Sequence, residues 1–525
     1  MSKHSWWQTG VIYQTYPRSF QDTSGNGIGD LPGIASRLDC LADTLGIDAI
    51  WISPFYPSPM ADFGYDVADY TGVDPLFGTM DDFEDLLNGV HARGMKLIID
   101  WVPNHSSDEH RWFVESRSSR DNPKRDWYVW RDPKPDGSPP NNWLSAFGGP
   151  AWSFDEHTGQ YYLCTFTKKQ ADLNWRNPEV QEAMFDDLSF WLDRGVDGIR
   201  VDVAHFVMKD PLLRDNPPVT GTPATLARNH GDYDRYEHLY DKGHPDNHPL
   251  YRDVRALLDS YRPERFSIGE IHIADWEEWA GYYGNLDELH LPFNFSLVHC
   301  PWTPDDIGRR VAAAEEAIPE GGWPSYVLGN HADPRIATRF GEEHMPIAAM
   351  LLLTLRGVPT LYYGDELAIP QRFIPAEQQL DPHGRSLSGS VRDGCRTPMQ
   401  WDNSFHAGFS PKGAASPWLP LTDDWPDRNV AKHLENPRSL LNLYRALLAY
   451  RKTSAVLQSG DYRRVDAPAG CLAYTRDGGA LTIALNFTDT ELDVGFSGNV
   501  AVTTYLDGDA APARLRPHEG LIIEN

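Results

Sequence analysis

The sequence predicts an α/β protein: a (β/α)8 TIM barrel with a small domain inserted after its third strand and a β-sandwich domain at the C-terminus. Short apolar runs alternate with segments of helical spacing, which is typical of a parallel sheet covered on both faces. The alternation stops over 106–174, a stretch rich in Asp, Pro, Trp and Lys, and then resumes. Residues 453–525 change to short β-like runs with turns between them.

These patterns give the expected units and their limits. The barrel is expected over 1–105 and 175–452, the inserted domain over 106–174 and the β-sandwich over 453–525. A chain of 525 residues is long enough for a barrel and further domains. The expected barrel strands cover residues 11–16, 49–53, 95–99, 198–203, 266–268, 288–293, 326–328 and 359–363.

Segments with apolar residues at helical spacing lie between these strands. Leucine and isoleucine recur at helical spacing over 34–45, and Gly46 follows them as a stop signal. Thr79 is a candidate N-cap for the next helix, which Gly94 should end. A later helix should begin at Pro178, because proline is well suited to the first helical position.

Composition argues against several classes of partner and location. The chain has 47 Lys and Arg against 75 Asp and Glu, and its net charge of −28 fits a small uncharged substrate better than nucleic acid or an anionic membrane. Its 5 cysteines are scattered, so neither a disulfide framework nor a zinc site is expected. Residues 1–7 lack an apolar signal-peptide core, and the apolar run 347–355 is too short to span a membrane. We expect a cytoplasmic protein, as a monomer or a homodimer.

The strand at 198–203 carries two charges on one face. Arg200 and Asp202 should point the same way, because side chains alternate along a strand. Buried charges are costly unless they are paired, so this strand predicts either a structural ion pair or a polar site. Polar residues also follow other predicted strands at their carboxyl ends, where a (β/α)8 barrel builds its active site. They are Asp62, Tyr65, Asp100, His105, Glu270 and His331.

Asp202 and Glu270 form a carboxylate pair suited to cleavage of a glycosidic bond. Arg200, beside Asp202, is expected to keep that carboxylate ionised and nucleophilic. Burial and the neighbouring negative charge are expected to raise the pKa of Glu270, which would make it the proton donor.

Residues 22–30 place oxygen-bearing side chains at the spacing of a calcium loop. Gly33 stands where an EF-hand carries its bidentate glutamate, so the loop is not an EF-hand. The pattern therefore leaves two interpretations, a cation site of modest affinity or a plain Gly/Asn turn. The oxygen donors would be Asp22, Ser24, Asn26, the Ile28 carbonyl and Asp30.

Several motifs in chain order resemble those of glycoside hydrolase family 13, the α-amylase superfamily, in its α-glucosidase and oligo-1,6-glucosidase type. They extend over nearly the whole chain, which makes the resemblance specific. The motifs are DWVPNH at 100–105, GIRVD at 198–202, IGE at 268–270 and LGNH at 328–331, supported by ADFGYD at 61–66, QADLNW at 170–175 and RDGCRTPMQW at 392–401.

The resemblance implies a retaining, exo-acting α-glucosidase that releases glucose from the non-reducing end of short α-1,4 or α-1,6 glucosides, with glucosyl transfer as a side reaction. It implies Asp202 as the nucleophile and Glu270 as the acid/base, and it implies calcium, with magnesium as the alternative ion, in the 22–30 loop. The residues that match sugar-binding positions are Asp62, Tyr65, His105, Phe147, Phe166, Gln170, Arg200, His331 and one of Arg392 or Arg396.

One catalytic position departs from the family pattern. The family's fourth motif reads Asn-His-Asp, whereas here Ala332 follows His331. Asp333 is the neighbour and not the equivalent, because a shift by one residue near a strand end redirects the side chain. Loss of one preorganised electrostatic group costs about 10²–10³ in rate. We therefore expect this chain to be inactive or nearly so, and hypothesise an engineered exchange, because the other catalytic positions are intact.

Two other functions would share these motifs. An α-glucoside isomerase of the trehalose synthase or sucrose isomerase type would carry the same residues. A non-catalytic interaction protein on the same fold has Ala332 as its only support, whereas Asp202 and Glu270 are both retained. Val203 follows the implied nucleophile, and members of the family with valine there tend to accept α-1,6 linkages.

Overall fold

Parallel strands in close register form the core of the molecule. In the computed structural model, which describes residues 4–220, 231–382 and 392–525, the first three are β1 (Ile12–Thr15), β2 (Ala49–Ile52) and β3 (Lys96–Trp101). All residues of β1 and β2 are buried, as expected for strands with apolar side chains on both faces. Part of the N-terminal stretch without a signal-peptide core, residues 1–3, lies outside the described residues.

Between β3 and the next barrel strand, the chain forms small antiparallel sheets. β4 pairs with β8, and β7 lies between β5 and β6. A helix at Arg111–Ser118, absent from the sequence prediction, buries only Trp112, Phe113 and Ser116, which is too short a pattern to read as helical spacing. The exact domain boundaries stay predictions. The strands are β4 (His105–Ser107), β5 (Trp130–Arg131), β6 (Trp152–Asp155), β7 (Gln160–Leu163) and β8 (Gln170–Asp172).

The second part of the barrel completes a closed parallel sheet. Its strands are β9 (Gly198–Val201), β10 (Phe266–Gly269), β11 (Leu291–Pro292), β12 (Ser325–Val327) and β13 (Val358–Tyr362). Over the described ranges, eight parallel strands run in the order β11-β10-β9-β3-β2-β1-β13-β12. Ser325 Oγ donates to the Pro292 carbonyl at 3.1 Å, which joins the two ends of this order. The predicted (β/α)8 barrel is confirmed.

The sixth barrel strand is shorter than the 288–293 expected from the apolar run. Only Leu291–Pro292 is paired, and Pro292 has no N–H to donate to a neighbouring strand. Glu288 accepts from His248 at 2.8 Å and from Arg252 at 2.9 Å, and both partners lie on the helix Asn247–Asp259, which precedes the fifth barrel strand.

Helices cover the outside of the barrel. Thr79 caps the helix Met80–Ala92, as the sequence indicated, and the Asp82 side chain accepts in return from the Thr79 N–H. The helix expected over 34–45 is divided into α3 and a π-helical turn, Cys40–Leu45, that ends at Gly46 with φ of +86°. No helix in the described part of the chain is both long and apolar enough to cross a membrane.

The described helices are α1 (Trp6–Thr9), α2 (Pro17–Phe20), α3 (Leu31–Ser36), α4 (Met80–Ala92), α5 (Arg111–Ser118), α6 (Pro178–Asp193), α7 (Asn247–Asp259), α8 (Trp276–Gly281), α9 (Pro304–Ala317), α10 (Ile336–Phe340), α11 (Met345–Thr354), α12 (Val430–Glu435), α13 (Leu440–Thr453) and α14 (Ala455–Ser459).

The C-terminal region forms two antiparallel sheets that pack on each other, in agreement with the predicted β domain. A five-stranded sheet has the order β14-β15-β16-β20-β18, and β17 pairs with β19. Between them lie Cys471, Ala484, Leu515 and Ile523. The strands are β14 (Tyr462–Val465), β15 (Cys471–Arg476), β16 (Leu481–Asn486), β17 (Leu492–Asp493), β18 (Asn499–Thr503), β19 (Arg514–Leu515) and β20 (Gly520–Glu524).

Candidate active site

Arg200 on β9 is the centre of the polar cluster at the carboxyl edge of the barrel. The register of β3 and β9 places Asp100 opposite Arg200, and the two side chains are 2.6 Å apart. The same Nη1 atom lies 2.7 Å from Asp202 Oδ1, while Nη2 contacts Glu270 Oε2. Arg200 is only 3% exposed, so one buried guanidinium serves three carboxylates.

The chain turns sharply directly after Asp202. Asp202 donates its N–H to the Trp101 carbonyl at 2.8 Å, which continues the β3–β9 ladder by one residue. Val203 then adopts the left-handed conformation with φ of +37° and ψ of +48°, which costs about 1–2 kcal/mol for a residue with a β-carbon. This turn aims the Val203 N–H at Glu270 Oε2, 3.1 Å away.

Glu270, at the end of β10, accepts hydrogen bonds from several donors. Arg200 and the Val203 N–H reach Oε2, and His272 Nε2 lies 2.7 Å from Oε1. Burial acts to raise the pKa of Glu270, but the Arg200 charge and the hydrogen bonds from His272 and Val203 outweigh it and hold the pKa well below its usual value. These contacts therefore favour the carboxylate form of Glu270 in this conformation.

The pKa of Asp202 is shifted in the opposite direction. Burial, with the negative charges of Glu270 and Asp100, raises the pKa of Asp202 well above its usual value despite the attraction of Arg200. The expected assignment of pKa values, a low one for Asp202 and a raised one for Glu270, is thus wrong for this conformation. The physical reason is that the Arg200 guanidinium contacts Glu270 at the end of β10 as well as Asp202 on its own side, so the two carboxylates share its charge.

One end of the pocket is closed by a network of ion pairs and amides. Asp62 Oδ1 lies 2.6 Å from Arg392 Nη2, and Asp381 holds the same Nη2 at 2.6 Å. Gln170 Nε2 donates to Asp62 Oδ2 at 3.2 Å and lies 3.0 Å from His105 Nε2. Burial lowers the pKa of His105 to about 4, so its ring is neutral at pH 7.

His331 and Tyr65 form the floor beside this network. Their rings stack with centroids 5.4 Å apart, and Tyr65 Oη lies 2.9 Å from His331 Nε2. Gln14 Nε2 is 2.7 Å from His331 Nδ1, so both ring nitrogens have partners. Burial lowers the pKa of His331 well below its usual value, and the ring is a neutral hydrogen-bonding surface.

Aromatic side chains line the rest of the pocket. Phe166 lies 5.4 Å from Phe147 and 5.5 Å from Phe206, measured between ring centroids. The cavity holds about 1130 Å³, including the solvent at its mouth. A closed polar end with aromatic walls is what recognition of a sugar ring requires, since rings stack on aromatic faces while hydroxyls take the polar groups.

Comparison with known proteins assigns this arrangement to a family. The model of the alpha-amylase catalytic domain matches residues 14–460. The chain belongs to the alpha-amylase family. A probable alpha-glucosidase of Rhizobium meliloti is 44% identical over 487 residues, 90% of this chain and 87% of the relative. An oligo-1,6-glucosidase of Halalkalibacterium halodurans is 39% identical over 569 residues, 98% of both chains.

Solved structures give the same result. The alpha-glucosyl transfer enzyme XgtA is 40% identical with a TM-score of 0.92, over 99% of this chain and 100% of that one. The trehalulose synthase MutB of Pseudomonas mesoacidophila is 34% identical with a TM-score of 0.89, over 100% of both. By these comparisons the chain is a glycoside hydrolase, and the curated relatives it resembles are α-glucosidases and oligo-1,6-glucosidases.

The structure brings nearly all of the predicted site residues of this family member to one pocket. Arg396 is the exception among the sugar-binding candidates. It is fully buried, donates from Nε to the His331 carbonyl at 2.8 Å and lies over Tyr16, so of the two alternatives Arg392 is the one that lines the pocket. The predicted residues that line the pocket are Asp62, Tyr65, His105, Phe147, Phe166, Gln170, Arg200, Asp202, Glu270, His331, Ala332 and Arg392.

Sequence reasoning missed several residues that shape the site. His272 contacts Glu270 but follows it by two residues in a loop without a motif. Lys209 is buried and lies 2.8 Å from Asp172 in the inserted segment. It also donates to Asn104 Oδ1 at 2.5 Å, so it connects the inserted segment to the edge of the barrel. Asp381 holds Arg392 from a loop whose sequence carries no signal for that contact.

The 22–30 loop is organised around its two carboxylates. Asp22 accepts from the N–H groups of Gly25 at 2.7 Å and Gly27 at 3.0 Å, and Asp30 Oδ1 accepts from the Gly33 N–H at 2.7 Å. These oxygens are of the kind that calcium takes, and a site with only two charged ligands would be of modest affinity. The donor set fits such an ion in a purely structural role, although within the described ranges no cluster of three or more His, Cys, Asp or Glu side chains is suited to a metal. Calcium or magnesium here is a proposal.

Replacing the shared guanidinium tests the charge balance of the site. Arg200→Met leaves three buried carboxylates uncompensated, and removing one partner of a buried ion pair costs about 3–5 kcal/mol. We expect a loss of that size in the free energy of unfolding at pH 8. At pH 5 the loss should be smaller, because burial raises the pKa of Asp100 to about 6 even with Arg200 present, and protonation removes the uncompensated charge.

Urea unfolding at both pH values measures this difference. The matched control is Arg194→Met, since Arg194 lies near the surface with Glu84 3.9 Å away, and it should change stability by less than about 0.5 kcal/mol. Equal losses for Arg200→Met at pH 5 and pH 8 would contradict the charge argument.

Addition of calcium tests the loop. Millimolar calcium should stabilise the chain against heat relative to EDTA, by about 1 kcal/mol for an ion present at several times its Kd. Asp22→Asn should abolish the effect, whereas the exposed Asp43→Asn should retain it. Scanning calorimetry with and without the ion measures both effects. If calcium does not change the melting temperature of the parent chain, the loop is a hydrogen-bonded turn without an ion.

Proposed function

We propose that this chain carries the site of a retaining, exo-acting α-glucosidase that releases glucose from the non-reducing end of short α-glucosides. The observation that supports this most is that Asp202 and Glu270 share one guanidinium inside a pocket whose far end the Asp62–Arg392 pair closes. A closed end favours a terminal sugar over an internal one, because a continuing chain would need to pass through the ion pair.

The arrangement supplies a nucleophile and a proton donor on one centre. In the first half-reaction the Asp202 carboxylate would form a bond to the anomeric carbon while protonated Glu270 gives its proton to the departing oxygen. In the second, Glu270 would take a proton from water as that water displaces Asp202. The directions of the two pKa shifts in the described conformation are the reverse of this order, so substrate binding must shift the proton of the pair from Asp202 to Glu270.

Recognition of the terminal sugar follows from the pocket's donors and acceptors. Asp62 can only accept hydrogen bonds and Arg392 can only donate them, so together they suit adjacent hydroxyls. The neutral rings of His105 and His331 offer further hydrogen bonds without adding charge. A neutral glucosyl unit fits this balance of groups.

Ala332 leaves the pocket without the third carboxylate of the family motif. The residue lines the pocket, whereas Asp333 is buried with Oδ1 3.8 Å from His299 Nε2. Arg396, whose Nε donates to the carbonyl of His331, the residue before Ala332, has Nη1 and Nη2 without a hydrogen-bond partner among the described residues. A carboxylate at 332 would add a negative charge to the pocket and stabilise positive charge on the sugar in the transition state.

Restoring the carboxylate tests the proposed function. Ala332→Asp should raise kcat on maltose by at least about 10²-fold, because a preorganised charge returns to the reaction centre. Ala332→Asn introduces a side chain of similar size without a charge, and its kcat should remain close to that of the parent chain. Glucose release over time measures all three chains, and an unchanged rate in Ala332→Asp would contradict the proposal and the hypothesis of an inactivating exchange.

A second candidate is an isomerase or glucosyl transferase on the same site. Two observations favour it: the structural neighbours include a trehalulose synthase and an alpha-glucosyl transfer enzyme, and a covalent intermediate can meet acceptors other than water. The non-catalytic interaction protein is the weakest reading, since Asp202 and Glu270 both face the pocket.

Product analysis separates these functions. In the Ala332→Asp background we expect maltose and isomaltose to yield mainly glucose, with kcat/KM for isomaltose at least equal to that for maltose because Val203 lines the pocket directly after the nucleophile. Chromatography of the products after incubation with maltose, isomaltose and sucrose measures this. Trehalose, trehalulose or isomaltulose as the main product would establish the isomerase instead, and a strong preference for maltose would overturn the linkage expectation.

A further inference from the structure

We propose that a second cavity beside the candidate active site binds a small organic molecule through its phosphate group. The cavity lies between the loops that follow β10 and β11 and the helices α8 and α9, and it holds about 820 Å³ including the solvent at its mouth. Ala274 lines both this cavity and the active-site pocket, so the two are neighbours. The inference does not rest on the proposed function, because it concerns groups that the glucosidase reaction does not use.

The charged side chains of this second cavity are positive. Arg309 and Arg310 on α9 both line it, and no acidic side chain is found among the described residues of its lining. The whole chain carries a net charge of −28, so a cavity whose only charges are cationic runs against the overall balance. A locally positive cavity favours an anionic ligand over a neutral one.

Arg310 carries a charge that its described contacts do not neutralise. Its Nη1 donates to the Ser296 carbonyl at 3.2 Å, which is a neutral acceptor. Burial raises the pKa of the adjacent Cys300 thiol to about 11, so this group is also neutral at pH 7. Arg309, by contrast, contacts Asp306 and is 68% exposed. Arg310 is therefore the cation with charge available for a ligand.

Two buried polar side chains of the same cavity lack partners. Asn294 is 2% exposed and Ser296 is 5% exposed, and both follow β11. Asn294 Oδ1 accepts from the Ser296 N–H at 3.0 Å, which fixes the amide. Asn294 Nδ2 and Ser296 Oγ have no hydrogen-bond partner among the described residues. Because buried donors without an acceptor cost free energy, a ligand that accepts hydrogen bonds here would remove that cost.

The donors and walls of the second cavity together fit a phosphate on an organic molecule. The Arg310 guanidinium, the Asn294 amide and the Ser296 hydroxyl are three donor groups, and a phosphate group offers three oxygens that accept strongly. Beside them, Ile273 and Trp276 provide apolar surface that inorganic phosphate would not use. Because a sugar ring can pack on an aromatic face, a sugar phosphate is the class of ligand that fits both parts.

The second cavity is close to the acidic centre of the active site without including it. Phe295 lines the second cavity and stacks on His272, with ring centroids 4.4 Å apart and an angle of 16° between the planes. His272 Nε2 in turn lies 2.7 Å from Glu270 Oε1. A ligand in contact with Phe295 would therefore lie two side chains away from Glu270 and leave the groups that line the active-site pocket free.

Isothermal titration calorimetry of the full chain at pH 7.5 tests the site with two probes, glucose 6-phosphate and inorganic phosphate. We expect glucose 6-phosphate to bind at least about 3-fold more tightly, because only it can cover the apolar surface. Arg310→Gln should weaken its binding at least about 10-fold, since a charge-assisted hydrogen bond is lost. Ser296→Ala removes a hydroxyl that has no described partner, so it should keep the fold and weaken binding at least about 3-fold.

Two control variants locate the binding. Arg445→Gln, on α13, removes an arginine that also donates to a backbone carbonyl, at 2.9 Å, and it should leave both affinities unchanged. Lys242→Gln removes a cation of the active-site pocket and should leave them unchanged as well. No binding of glucose 6-phosphate, binding lost in Lys242→Gln but retained in Arg310→Gln, or equal affinity for the two probes would each overturn the proposal. If Arg310→Gln does not fold, an unchanged affinity in Ser296→Ala would overturn it.

Discussion

The buried guanidinium of Arg200 is the charge on which the electrostatics of the pocket depend. Arg200 contacts Asp100 on the adjacent strand β3, Asp202 directly after its own strand β9, and Glu270 directly after the other adjacent strand, β10. Three carboxylates around one cation leave a net negative centre, which low dielectric makes costly unless some carboxyls hold protons. The direction of the pKa shifts of Asp202 and Glu270 follows from how this single charge is shared.

The barrel register is what makes the sharing possible. Asp100 stands beside Arg200 because β3 and β9 are paired with that offset, and Ile268 pairs with Arg200 on the other side, so that Glu270 follows two residues beyond. A shift of one residue would turn these side chains to the other face. The strained turn at Val203 completes the arrangement, since its N–H fixes Glu270 Oε2. The backbone strain at Val203 thus lowers stability locally and orients the Glu270 carboxylate.

The closed end of the pocket depends on segments far apart in the chain. Asp62 follows β2, Gln170 lies in the inserted segment and Arg392 comes after β13. Lys209 fastens the insert to the barrel edge through Asp172, so the insert acts as a wall of the pocket. Ala332 stands on the same rim, and the fold retains a pocket there although its side chain brings no charge.

The sequence by itself determined the barrel, because apolar strands alternating with capped helices have few other ways to bury both faces of a sheet. It also determined the carboxylates and most of the other residues that line the pocket, since each stands at the end of a strand or in a motif that can be recognised along the chain. Only the tertiary structure decided the directions of the pKa shifts of Asp202 and Glu270, the presence of Arg392 rather than Arg396 in the pocket, and the contact of His272 with Glu270. Those outcomes depend on distances between groups that come from different strands, and spacing along the chain does not encode such distances.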